Sequence, residues 1–121
     1  MLSLGIDLCE IARIRRAMRS PRFCRRILGR AEYIQLEAHG FPAQSVAASF
    51  AAKEAFAKAM GTGVRGFALR EVELMRDAAG APFLHLTGAA ARLAAGLVFT
   101  VSVSHTRDVA AVVVAAQQEV V

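Results

Sequence analysis

Asp7, Glu54 and Lys58 have the side-chain types and spacing to do chemistry together. Glu54 and Lys58 lie in the stretch FAAKEAFAKAMGTG, Phe50 to Gly63. On a helix, Phe50, Glu54 and Lys58 fall on one stripe, each about 40° from the last. A Glu four residues before a Lys is the favourable order for a helical pair. On an exposed helix that pair is worth only about 0.3–0.5 kcal/mol. Here the flanking residues are Ala51, Ala52, Ala55, Phe56, Ala57 and Ala59, which describes a largely buried helix whose charges line a cleft. Asp7 interrupts the apolar run LGIDL, where an unpaired buried carboxylate would be costly. It therefore pairs with an arginine, caps the helix that follows, or shares a site with Glu54. Two carboxylates without an imidazole suit Mg²⁺, which takes hard oxygen ligands and phosphate oxygens. Lys58, one turn on, would meet the same phosphate as a point charge. The spacing alone does not establish a metal site.

A second candidate is SVSHTRD, Ser102 to Asp108. It reads as a polar hairpin turn. Its amides, the Thr106 hydroxyl and the His105 imidazole are also a set that binds phosphate. The glycine pair Gly61 and Gly63 is a weak signal, since neither GxxxxGK[ST] nor a strand-borne GxGxxG is present.

The elements that must position these groups follow from the hydrophobic pattern. Leu2, Leu4, Ile6 and Leu8 alternate with Ser3, Gly5 and Asp7, a strand with Asp7 on the face opposite the leucines. Helical spacing runs from about Glu10 to Met18, around Phe23 to Leu28, from Ala31 to Ala38, and from Gln44 to Met60, where Gly61 is a natural terminator. Glu71–Met75 and Phe83–Leu86 read as strands about a turn at Ala79–Pro82. Thr87–Ala95 reads as a short helix, and Phe99–Ser104 and Val109–Ala116 as strands about the His105–Asp108 turn. Helices followed by hairpins predict an α+β fold, a mostly antiparallel sheet packed against the long alanine-rich helix.

The 121 residues suit one domain spanning 1–121. Apolar residues make up 55% and charged residues 21%, which excludes a disordered chain. No apolar run is long enough to span a bilayer, and MLSLGIDLCE lacks the features of a signal peptide, so a cytoplasmic protein with no membrane partner is expected. Cys9 and Cys24 are expected as free thiols. His39, His85 and His105 are scattered, which argues against zinc. Eight of the 15 basic residues lie between Arg13 and Arg30 with no acid among them, and the rest of the chain sets seven bases against 10 acids. The positive charge is one local patch facing an anionic partner.

Three stretches together resemble the holo-(acyl-carrier-protein) synthases, the short type of 4′-phosphopantetheinyl transferase, and cover nearly the whole chain. GIDLCEIARI, Gly5 to Ile14, resembles the family's opening GxDxxxIxRI. FAAKEAFAKAMGTG resembles its central KEAxxKxxGxG helix. SVSHTRDVAAVVV, Ser102 to Val114, resembles its closing SxSHxxxxAxAxV.

The resemblance implies transfer of the 4′-phosphopantetheine arm from coenzyme A to a serine of apo acyl carrier protein, releasing adenosine 3′,5′-bisphosphate. It implies that Asp7 and Glu54 bind Mg²⁺ against the diphosphate and that Lys58 contacts the phosphate in flight. The serine proton goes to Glu54 directly or through a metal-bound water. Lys53, Lys58, Gly61, Gly63, His105 and Thr106 are implied at coenzyme A, with His105 at the 3′-phosphate. The arginine patch acquires a partner, the acidic helix of the carrier, met by Arg13, Arg16, Arg19, Arg22 and Arg26 with Met18 and Phe23 as apolar anchors. A homotrimer with active sites at subunit interfaces is implied, with His105 acting on a neighbour's Asp7 and Glu54. One departure stands out. The family often carries arginine directly before the central phenylalanine, where it would hold the nucleotide's phosphate; here that residue is Ser49, which weakens coenzyme A binding or transfers the job to another residue.

Two other functions fit part of the pattern. A nucleic-acid-binding module would explain the basic patch but not the Asp7, Glu54 and Lys58 set, and one Tyr with no Trp gives no stacking platform, so no nucleic-acid partner is expected. A Mg²⁺-dependent nucleotide hydrolase would use the carboxylates and leave the arginines idle.

Overall fold

The computed structural model describes residues 2–120. The chain runs β1 (Leu2–Glu10), α1 (Ile11–Ala17), α2 (Phe23–Ile27), α3 (Arg30–Glu37), α4 (Ala43–Met60), a 3-10 turn (Leu69–Glu71), β2 (Val72–Arg76), β3 (Pro82–Leu86), α5 (Gly88–Leu93), β4 (Leu97–His105) and β5 (Val109–Gln118). All strand pairings are antiparallel. One sheet has the order β1-β5-β4, and β2 and β3 form a separate hairpin. The expected α+β class holds, with the strands divided between two sheets.

Helix α4 crosses the inner face of the three-stranded sheet. Alanine is the best helix former, and its small side chain lets a strand lie close. Val46, Ala47, Ala51, Ala52 and Ala55 are buried there against Cys9, Val101, Val112 and Val114, with Ile11 and Ile14 of α1 closing the end. The closest approach is at Gly5, where a Cβ would overlap the Ala55 carbonyl oxygen and lie 2.6 Å from the Ala59 nitrogen. The Ser3 hydroxyl donates to the Ala59 carbonyl at 2.5 Å beside it. The helix ends at Gly61, which adopts the left-handed conformation (φ 72°) while its N–H closes back on the last turn.

A smaller core holds Phe56, Val72, Ala90 and Ala94, with Phe56 meeting Phe67 edge-on at 5.3 Å between centroids. It seats the β2–β3 hairpin and α5 against the other side of α4. Among the described residues no helix is long and apolar enough to cross a membrane.

The alternation of β1 delimits two faces, and the smaller one turns inward. Gly5 and Cys9 are buried, whereas Leu2, Leu4, Ile6 and Leu8 are 59–66% exposed. The strand register continues this outer face across Ala111, Val113 and Ala115 of β5 to Thr100, Ser102 and Ser104 of β4.

Candidate functional site

Because Gly5 brings β1 onto α4, the next inward residue, Asp7, comes within reach of the helix's polar stripe. Lys58 donates to the Ile6 carbonyl at 2.9 Å and to Asp7 Oδ1 at 3.2 Å. The Asp7 side chain is 19% exposed and that of Lys58 56%. Asp7 therefore pairs with Lys58; it neither meets an arginine nor caps α1, whose N-terminus has no side-chain cap. Glu54, half-buried, lies one turn before Lys58 on the same stripe. It forms no ion pair among the described residues.

Asp7 and Lys58 form a close pair, and Glu54 lies one turn before Lys58 on the same helical stripe. The donor set fits a hard divalent cation, because Mg²⁺ is usually held by one or two carboxylates and completes its shell with phosphate and water. Asp7 already draws a cation, the Lys58 ammonium. Among the described residues there is no cluster of three or more His, Cys, Asp or Glu able to hold a metal. Gly61 and Gly63, both at positive φ and exposed, form the turn beside Lys58 at the end of α4.

Lys53 is a correction. The resemblance implies it at coenzyme A, but its side chain is wholly buried. Its ammonium meets Glu32 at 2.7 and 3.0 Å and the Val72 carbonyl at 2.5 Å. Burial pulls its pKa down, and the Glu32 carboxylate opposes that pull. Glu32 also accepts the N–H groups of Gly29 and Leu74 at 3.1 and 2.9 Å. Beyond it Glu73 accepts the Glu32 N–H at 2.7 Å and meets His85 Nδ1 at 2.8 Å. Lys53 thus fastens α4 to α3 and β2 with its ammonium enclosed by protein.

His105 and Thr106 stand apart from Asp7 in the same chain. The Thr106 hydroxyl accepts the N–H groups of Asp108 and Val109 at 3.2 and 3.1 Å, so it shapes the turn. His105 lies level with Cys9, two strands across the sheet. It lines a cleft of about 380 Å³ with Ile11, Arg15, Gln44, Thr106 and Arg107, which includes none of Asp7, Glu54 and Lys58. Gln44 and Lys58 stand about 21 Å apart along the axis of α4 at 1.5 Å per residue.

All eight arginines from Arg13 to Arg30 are exposed, and none forms an ion pair among the described residues. Arg13 stacks on Phe50 at 5.5 Å and Arg25 on Tyr33 at 4.9 Å from the ring centroid. Met18 and Phe23 are half-buried against the core. Cys9 and Cys24 are free, and burial raises both thiols above their usual range.

The sequence pattern missed a cleft of about 490 Å³ between α3, the start of α4 and the β2–β3 turn. Its walls carry Gln35, His39, Ser45, Ser49, Arg76 and Asp77. Ser45 and Ser49, one helical turn apart, are the signal that could have marked it.

Comparison with known proteins bears on this arrangement. The family model of the 4′-phosphopantetheinyl transferase superfamily matches residues 3–113. A holo-(acyl-carrier-protein) synthase of Photorhabdus laumondii is 45% identical, over 78% of this chain and 77% of that protein. One from Clostridium acetobutylicum is 37% identical, over 87% and 88%. Among solved structures, the synthase of Neisseria meningitidis superposes with a TM-score of 0.88 at 33% identity, covering 96% of this chain and 98% of that one. A Bacillus anthracis synthase in complex with coenzyme A (3′,5′-ADP) gives 0.80 at 30% identity, covering 97% and 96%.

Proposed function

The chain belongs to the holo-(acyl-carrier-protein) synthases of the 4′-phosphopantetheinyl transferase superfamily, and on that premise we propose that it moves the 4′-phosphopantetheine arm of coenzyme A onto a serine of apo acyl carrier protein. The observation that carries this is the seat made by Asp7 and Lys58 at 3.2 Å with Glu54 one turn away. In the reaction the serine oxygen bonds to the β-phosphorus and the bond from that phosphorus to the bridging oxygen breaks. The leaving group is adenosine 3′,5′-bisphosphate.

Each residue has a task set by its position. Lys58, half exposed on a flexible stem, leaves Asp7 and follows the transferring phosphate, where negative charge grows as the bond breaks. A contact that strengthens in the transition state raises the rate more than the affinity. Glu54, half-buried and without an ion-pair partner among the described residues, takes the serine proton. Asp7 and Glu54 would hold Mg²⁺, which when bound neutralises the diphosphate as a Lewis acid. The exposed arginines, without acidic partners among the described residues, give the carrier's acidic helix a complementary surface, with Arg13, Arg16, Arg19, Arg22 and Arg26 around Met18 and Phe23. We place the reaction in the cytoplasm.

The exposed leucine face of β1 supports a homotrimer. Four large apolar residues in a row, continued by Val113 and flanking alanines, form a patch of the kind that marks an interaction site. His105 in a cleft remote from its own Lys58 supports a site completed by a neighbour.

Incubation with coenzyme A, Mg²⁺ and apo carrier protein, followed by mass spectrometry of the carrier, tests the proposal. The carrier should gain one phosphopantetheine, and a chelator should abolish the gain. An unchanged carrier with folded protein would overturn the transfer; undiminished transfer in chelator would overturn the metal.

A further inference from the structure

We propose that Glu71 is a positioning residue for coenzyme A binding: its carboxylate clamps the far end of the glycine turn, residues 61–66, onto α5 and so sets the shape of that turn beside Lys58. The inference rests on the proposed transfer, which brings coenzyme A to Lys58.

The turn leaves α4 just after Lys58. Residues 61–66 are exposed, and Gly61, Gly63 and Gly66 all have positive φ. Glycine loses more conformational freedom than any other residue when it is fixed, so the shape of this turn depends on what holds its ends. The near end is held by α4, where the Gly61 and Thr62 N–H groups donate to the Lys58 and Ala57 carbonyls at 3.1 and 3.3 Å. The far end is held by Phe67, packed on the smaller core, and by Ala68.

Ala68 is bonded to Glu71 through both of its backbone polar groups. Its N–H donates to Glu71 Oε1 at 2.8 Å, and its carbonyl accepts the Glu71 N–H at 2.9 Å. The remaining polar groups of Glu71 reach the segment that opens α5. Oε2 accepts the Ala89 N–H at 2.9 Å, and the Glu71 carbonyl accepts the Thr87 N–H at 3.0 Å. The amides of Ala68 and Ala89 hold the Glu71 carboxyl below its ordinary range, as charge-assisted bonds do. Gly88 leaves room for this clamp, because a Cβ there would overlap Glu71 Oε2. Helix α5 in turn supports the glycine turn, since Leu93 lies beside Gly66. One carboxylate therefore joins the loop that follows α4 to the first turn of α5.

The test is steady-state transfer by the full chain, Glu71→Ala, Glu71→Gln and Gly88→Ala, with coenzyme A and apo carrier varied separately and hydrogen exchange of residues 61–68 followed by mass spectrometry. Glu71→Ala removes both acceptors. The KM for coenzyme A should rise about tenfold, as when about one molecule in ten holds the binding-competent turn, while kcat at saturating coenzyme A and the KM for carrier stay as they are. Exchange should quicken in residues 61–68 and not in α4. Glu71→Gln keeps one acceptor and should fall between. Gly88→Ala should repeat the rise in KM, and the double variant with Glu71→Ala should add little to it, because residues that form one clamp are not additive. A lowered Tm with an unchanged KM for coenzyme A, an equal rise in both KM values, or a fall in kcat alone would overturn the assignment while transfer by the unaltered chain stands. No transfer by the folded, unaltered chain would overturn the assignment and the proposed function together.

Discussion

Lys53 and Glu32 meet at 2.7 Å with both side chains fully out of water. Removing one partner of such a pair strands the other's charge, which costs about 3–5 kcal/mol, whereas apolar replacement of both is often tolerated. Lys53→Met should therefore lower stability in urea by about 3–5 kcal/mol. Adding Glu32→Leu should recover only part of this, because the Gly29 and Leu74 N–H groups lose their acceptor. Coenzyme A affinity per folded molecule should not change. A stable Lys53→Met protein that no longer binds coenzyme A would return Lys53 to the ligand.

The sequence makes α4 legible and its charges only partly so. Spacing predicts that Glu54 and Lys58 share a stripe, and they do. The same spacing cannot tell that Lys53, one residue earlier, turns inward, because its partner lies 21 positions away on an element packed only in the tertiary fold. The β1 alternation likewise separates Asp7 from the leucines without saying which face is inside. Size decides it: Gly5 and Cys9 admit α4, and the leucines would not. The leucines are left on the exposed face.

Gly5→Ala should be the most damaging single-methyl change in β1. The added carbon overlaps the Ala55 carbonyl, so the strand must lift from α4 and carry Asp7 with it. A displacement of about 1 Å can cost about 100-fold in rate. We expect kcat to fall by about that factor with a lowered Tm. Unchanged kcat would show that the approach of β1 to α4 does not set the Asp7–Lys58 geometry.

Charge reversal at Arg13 and Arg22 should act on the carrier alone. The KM for apo carrier should rise and its dependence on ionic strength should flatten, since exposed charges are those that salt screens. Titration of coenzyme A should be unaffected. A change confined to coenzyme A would remove the arginines from carrier docking.

Mixing two inactive variants distinguishes a site within one chain from a site shared between chains. His105 occupies a cleft with Arg15 and Gln44, whereas Asp7 pairs with Lys58 near the other end of α4. If His105 serves a neighbour, each active site draws Asp7 from one subunit and His105 from the next. His105→Ala and Asp7→Ala should each be inactive as pure oligomers. Co-refolded in equal amounts, they should place an intact Asp7 beside an intact His105 in about a quarter of the interfaces of randomly assembled rings. About that fraction of activity should return, and sedimentation should report a trimer. Ile6→Lys, which puts a charge into the exposed leucine row, should yield monomers and prevent the recovery. Absence of recovery in properly mixed trimers would place His105 and Asp7 in separate roles within their own chains.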